Sequence, residues 1–126
     1  MVLRNPYQTY QKQAVNTSKP EELTLMLYQG MVKYIRLSKI ALQNQQIEDS
    51  HHYNLRTQDI LSELMVTLKQ EYSIAESLLR VYDYMKIRLI EANLHKKIEL
   101  LEEVEQFAVQ LTETWAAAMA INKGQN

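Results

Sequence analysis

Apolar residues recur at intervals of three and four along most of this chain, the repeat of an α-helix that buries one face. In the first stretch Leu23, Leu27, Tyr34, Leu37 and Ala41 form one stripe, and Leu25, Tyr28, Val32 and Ile35 form a second stripe beside it. A second stretch starts near Asp49 or Ser50 and runs to about Gln70, with Tyr53, Ile60, Leu61, Leu64, Met65 and Leu68 on its core face. In the third, Ile74, Leu78, Val81, Tyr82, Met85, Leu89 and Ala92 make the core stripe, and Leu79, Ile87, Ile90 and Leu94 widen it. The fourth carries Leu101, Val104, Ala108, Leu111, Trp115 and Met119.

Punctuation between these stretches fits helices. Ser18 with Glu21, and Ser73 with Glu76, have the spacing of a capping box. Pro20 falls in a first turn, where its missing N–H costs nothing. Asn44-Gln45-Gln46 ends the first helix, and Asn93 is expected to close the third in a left-handed conformation. Two glycines and two prolines in 126 residues leave few tight turns, which disfavours sheets built on hairpins. The pattern predicts an all-α fold: an antiparallel up-down-up-down four-helix bundle over residues 18–122, preceded by an N-terminal arm or short helix. The helices are expected at about 19–44, 49–70, 74–93 and 96–121, with 1–17 as the arm and 123–126 as a disordered tail.

Composition narrows the chemistry. There is no cysteine, which removes disulfides and thiolate sites together. With 14 basic and 15 acidic residues, the net charge of −1 gives no general pull toward nucleic acid or anionic lipid, and no metal or other cofactor is predicted. The first ten residues lack the apolar run of a signal peptide and no stretch suits a membrane span, so a cytoplasmic protein is expected. His51 and His52 are adjacent and point ~100° apart on a helix; Glu48 and His51 straddle the expected start of the second helix, and His95 stands at a turn. No nucleophile elbow or phosphate-binding glycine loop is present, and the reading is a non-enzyme.

Eight tyrosines against one phenylalanine suit a surface that is sometimes wet and sometimes covered. Tyr7 and Tyr10 lie in the basic arm, and Tyr82-Asp83-Tyr84-Met85 lies in the third helix. A bundle helix normally carries an apolar face about three-sevenths wide. The spare stripes on the first and third helices exceed that and call for a cover, either a client chain or a second copy. Leu25, Tyr28, Val32, Leu79 and Ile90, from these stripes, are predicted to bind the client.

The ordered set Asn5-Pro6-Tyr7-x-x-Tyr10, Val15-x-Thr17, Pro20-x-x-Leu23, Leu25-Met26-Leu27-Tyr28-x-Gly30, Tyr82-Asp83-Tyr84-Met85, Leu89-x-x-Ala92-Asn93 and Trp115 resembles the FliS family of flagellin export chaperones. The resemblance implies a bundle that binds the disordered C-terminal segment of flagellin, prevents premature polymerisation and delivers it to the export gate, a membrane protein. It further implies that the arm, anchored by Tyr7 and Tyr10, covers the client groove in the free protein, and that Tyr28, Tyr82, Tyr84 and Met85 lie near that groove, so that Tyr82, Tyr84 and Met85 join the predicted client-binding residues. In relatives a glycine is common in the loop that here reads Gln70 to Ser73, and a basic residue is common where Thr112 stands. The alternative from another class is a structural homodimer that pairs the spare apolar arcs.

Overall fold

The computed structural model describes residues 19–68 and 74–124, which form four α-helices and, among the described residues, no strand. These are α1 (Pro20–Gln43), α2 (Ile47–Thr67), α3 (Ala75–His95) and α4 (Ile98–Gly124). Short connections make neighbours antiparallel. α1 packs against α2 and α4, α3 packs against the same two helices, and α1 and α3 face each other across the diagonal. The four-helix bundle expected from periodicity is the fold found.

Helix ends depart from the expected caps. Lys19, extended at φ −75° and ψ 162°, takes the cap position of α1 with Pro20 behind it, and its carbonyl accepts from Glu22 and Leu23 N–H at 3.0 Å. Neither Lys19 nor Ile74 makes a side-chain cap bond. Ser18 and Ser73, the predicted caps, lie outside the described residues, as do the arm with Tyr7 and Tyr10 and the Gln70–Ser73 loop.

At the other end of α1, Gln45 is left-handed at φ 62°, with Gln46 N–H bonded to Ala41 O at 2.8 Å. This closes the last turn on orphan carbonyls. α2 starts at Ile47, so Glu48 and Asp49 sit in its first turn where the helix dipole favours them. α3 does not close at Asn93: it runs on to His95, and Lys96 takes the left-handed position at φ 55° with its N–H on Ala92 O at 2.8 Å. A side chain is tolerated there because the bond satisfies a carbonyl that the helix end would otherwise leave open. α4 continues through Lys123 and Gly124, which were expected in a disordered tail; alanines at 116–118 and 120 are strong helix formers.

The core is one cluster drawn from all four helices, including Leu27, Met31, Ile35, Ile60, Leu61, Met85, Leu89, Leu101 and Val104, each at most 2% exposed. Ile35, counted among the spare positions of the first helix, is inside. Ile74, placed on the core stripe of the third helix, is 59% exposed just before α3 begins. Small buried polar residues let α1 and α2 approach closely: Ser38 Oγ donates to Ser50 O and Ser50 Oγ donates to Ser38 O, both at 2.8 Å. Asn54, 1% exposed, donates from Nδ2 to Leu89 O at 2.9 Å and accepts from Gln58 Nε2 at 2.8 Å, joining α2 to α3. No described buried side-chain polar atom lacks a partner, as a dry core requires.

Removing Asn54 strands Leu89 O's second acceptor position and the Gln58 amide. Asn54→Ala is expected to cost about 1–3 kcal/mol, read as a lower urea midpoint with an unchanged slope.

Candidate functional site

The geometry of interest lies on two sides of the bundle, with a tyrosine pair between them. Tyr28 of α1 and Tyr82 of α3, 1% and 2% exposed, share a hydrogen bond between their hydroxyls across the diagonal. Their ring centroids are 6.4 Å apart. Burial pushes both hydroxyls above the ordinary tyrosine range; for Tyr82 the bond from Tyr28 adds to the rise, and for Tyr28 the bond opposes it. Trp115 meets the Tyr28 ring edge-on at 6.1 Å and donates from Nε1 to Glu21 O at 2.8 Å. The tryptophan thus ties α4 to the first turn of α1. Met85, fully buried, belongs to the same cluster.

Because Tyr82, Met85, Leu89 and Ala92 point inward, helical geometry turns Ile87, Ile90 and Leu94 outward. They are 47%, 42% and 72% exposed. Tyr84, 38% exposed, continues this strip three residues before Ile87, and half-buried Leu79 flanks it. On α2, Leu55 is 39% exposed one residue from Asn54, whose amide reaches Leu89 of α3. An apolar strip therefore runs along the outer face of α3, from Tyr84 on the α4 side to Leu79 and Ile90 on the side of α2, where Lys86 reaches Ser62 two turns beyond Leu55.

Tyr84 is exposed yet firmly held. Its hydroxyl accepts from Arg88 Nε and donates to Glu103 Oε2, both at 2.9 Å. The single Nε hydrogen of Arg88 is shared with Glu103 Oε1, also at 2.9 Å, and Nη1 donates to Glu91 Oε2 at 3.1 Å. The Tyr84 ring stands edge-on to Phe107 of α4, with centroids 5.8 Å apart.

On the opposite side, α1 and α4 enclose a shallow groove of ≈ 350 Å³ lined by Val32 and Val109 together with Gln29, Lys33, Arg36 and Glu113. Half-buried Leu25 lies two turns before Val32 on α1. Nearby, Glu105 of α4 receives Lys39 Nζ at 2.7 Å and Arg36 Nε at 2.9 Å. Burial raises the Glu105 carboxyl, but the hydrogen bonds and charges of Lys39 and Arg36 outweigh it and hold the group below the usual glutamate range.

The eight predicted client-binding residues do not form one groove. Tyr28, Tyr82 and Met85 are interior; Leu79, Tyr84 and Ile90 lie on the outer part of α3; Leu25 and Val32 lie on α1, with Val32 in the groove beside α4. The reading of the sequence missed Leu55 and the Arg88–Glu103 hold on Tyr84. The spacing of Tyr84, Arg88 and Glu91 by four and three residues was the available signal. Glu48 and His51 both fall within α2, where the close pair is Glu48 with His52 at 3.8 Å. Among the described residues no group of three or more histidine, aspartate or glutamate side chains is placed to hold a metal ion. No described helix is long and apolar enough to cross a membrane.

Comparison with known proteins adds a family relationship. The family model described as flagellar protein FliS matches residues 3–122. The flagellar secretion chaperone FliS of Bacillus subtilis (strain 168) is 39% identical over 119 residues, covering 94% of this chain and 90% of that protein. The protein of the same name from Campylobacter jejuni is 30% identical over 112 residues, covering 86% of this chain and 87% of that protein. A solved bacterial flagellar chaperone superposes with a TM-score of 0.76 at 19% identity, covering 91% of this chain and 95% of that one, and supports the fold.

Two outcomes follow from the buried groups. Tyr82→Phe leaves the Tyr28 hydroxyl buried and unpaired, so it is expected to lose about 1–3 kcal/mol. Adding Tyr28→Phe is expected to recover much of that loss in the same denaturation assay, since no polar atom is then left without a partner. For Glu105, the folded carboxyl titrates below its ordinary value of 4.5, so its contribution is present above that value and is lost as pH falls through the lower folded one. Glu105→Gln is expected to reduce stability at neutral pH and to flatten the acid limb of a stability-versus-pH curve below that ordinary value of 4.5.

Proposed function

This chain belongs to the FliS family of flagellar proteins, and on that footing we propose that it is a secretion chaperone for flagellin. In this reading it works in the cytoplasm, holds the disordered C-terminal segment of flagellin, and passes it to the membrane gate of the flagellar export apparatus. The observation that carries the reading is the strip of Ile87, Ile90 and Leu94 on the outer face of α3, which the bundle leaves open to water.

Energetics favour a long strip over a compact pocket. Ordering a client residue costs roughly 1–2 kcal/mol of backbone entropy, and a fully buried leucine-sized anchor returns about 1.5–3 kcal/mol. Several anchors spaced along a helix are needed for net affinity. Leu79, Tyr84, Ile87, Ile90 and Leu94 offer that spacing, and Tyr28, Tyr82 and Met85 support α3 from beneath rather than touching the client. Leu25 and Val32, on the opposite side, are met only by a client that wraps around the bundle. Holding of this kind is steric: the client's polymerisation surface is covered, and neither catalysis nor nucleotide is involved. The arm, with Tyr7 and Tyr10, covers the client strip until flagellin displaces it.

Titration of the full chain with a peptide from the C-terminal segment of flagellin tests the reading. Wild-type chain is expected to bind without nucleotide, and Ile90→Asp is expected to weaken binding at least tenfold, because a buried carboxylate without a partner is costly. Unchanged affinity in Ile90→Asp would remove the outer face of α3 from the site.

A further inference from the structure

The proposed client strip includes a tyrosine that is exposed without being free. An exposed tyrosine ordinarily samples several rotamers, and fixing it on binding costs affinity. Tyr84 is fixed from three directions before any client arrives. Arg88 Nε donates to its hydroxyl at 2.9 Å, and that hydroxyl donates to Glu103 Oε2 at 2.9 Å. The Arg88 guanidinium lies 5.2 Å from the ring centroid, and Phe107 packs edge-on at an interplanar angle of 70°. Arg88 is itself held by Glu103 on α4 and Glu91 on its own helix. The ring is thereby kept at the α3–α4 seam, three residues from Ile87, with 38% of its surface left for a partner.

Resting on the client reading above, we infer that Arg88 and Glu103 are positioning residues for client binding: they hold Tyr84 as a rigid aromatic platform at one end of the α3 strip. The partner surface that fits such a platform is apolar or aromatic, because the hydroxyl already has its donor and its acceptor and has little left to offer. Arg88 acts through Tyr84 and not by attracting client charge.

A double-mutant cycle separates the two roles. The flagellin C-terminal peptide is titrated calorimetrically into full-length wild type, Arg88→Ala, Tyr84→Ala and the double variant, with helicity and melting checked for each. Arg88→Ala is expected to weaken binding roughly two- to tenfold, the scale of ordering one side chain. On the Tyr84→Ala background the same change is expected to have no effect, since coupled residues are non-additive. Arg80→Ala, which removes the same charge two turns earlier on α3, is expected to change affinity less than twofold. An Arg88→Ala penalty that is equal on both backgrounds, or matched by Arg80→Ala, overturns the positioning role in favour of simple charge. If wild type binds and Ile90→Asp abolishes binding while Arg88→Ala leaves it intact, the platform falls and the client reading stands. If wild type does not bind the peptide, both fall.

Discussion

The bond between the hydroxyls of Tyr28 and Tyr82 sets the frame for everything outside it. α1 and α3 make no close backbone approach, so these two side chains, meeting in the middle of the core, fix how deep each helix sits and how it is rotated. In a dry interior neither hydroxyl has water to fall back on, and a rotation of either helix would leave a polar atom without a partner. Once Tyr82 faces inward, the 3.6-residue repeat sends Ile87, Ile90 and Leu94 outward. The exposed strip is thus the far side of a buried stripe in which Tyr82 is joined by Met85, Leu89 and Ala92.

Around that centre the seams are polar in a way that a featureless bundle would not need. α1 and α2 are joined by a reciprocal serine pair, α2 and α3 by the Asn54 amide, and α3 and α4 by the Tyr84–Arg88–Glu103 hold. Each supplies directional bonds where apolar contact alone would leave the register loose. Generic packing gives compactness, and such polar pairs give one arrangement among many.

The fold was legible because its signal is redundant: each helix repeats its core stripe several times, and an error at one position, such as Ile74, does not disturb the rest. Single residues at helix ends were harder to read. Asn93 carries the usual preference for a left-handed closing position, yet Lys96 occupies it, because the hydrogen bond to Ala92 and not the side chain decides where the helix stops. The site was legible as a set of spare apolar positions but not as a surface. Periodicity counts apolar residues on a face, whereas Tyr28 and Ile35, counted as spare and found inside, show that burial depends on which neighbour lies opposite. Leu55 illustrates the converse: on its own helix it is unremarkable, and only the reach of Lys86 of α3 to Ser62, two turns after Leu55, puts it on the flank of α2 beside the α3 strip.

Glu105 has a mechanical meaning beyond its charge. Two cations three residues apart on α1 grip this one carboxylate of α4, so sliding either helix by a turn, about 5.4 Å, would tear both contacts at once. The one carboxylate thus sets the lengthwise register of α1 against α4, as the serine pair does for α1 against α2.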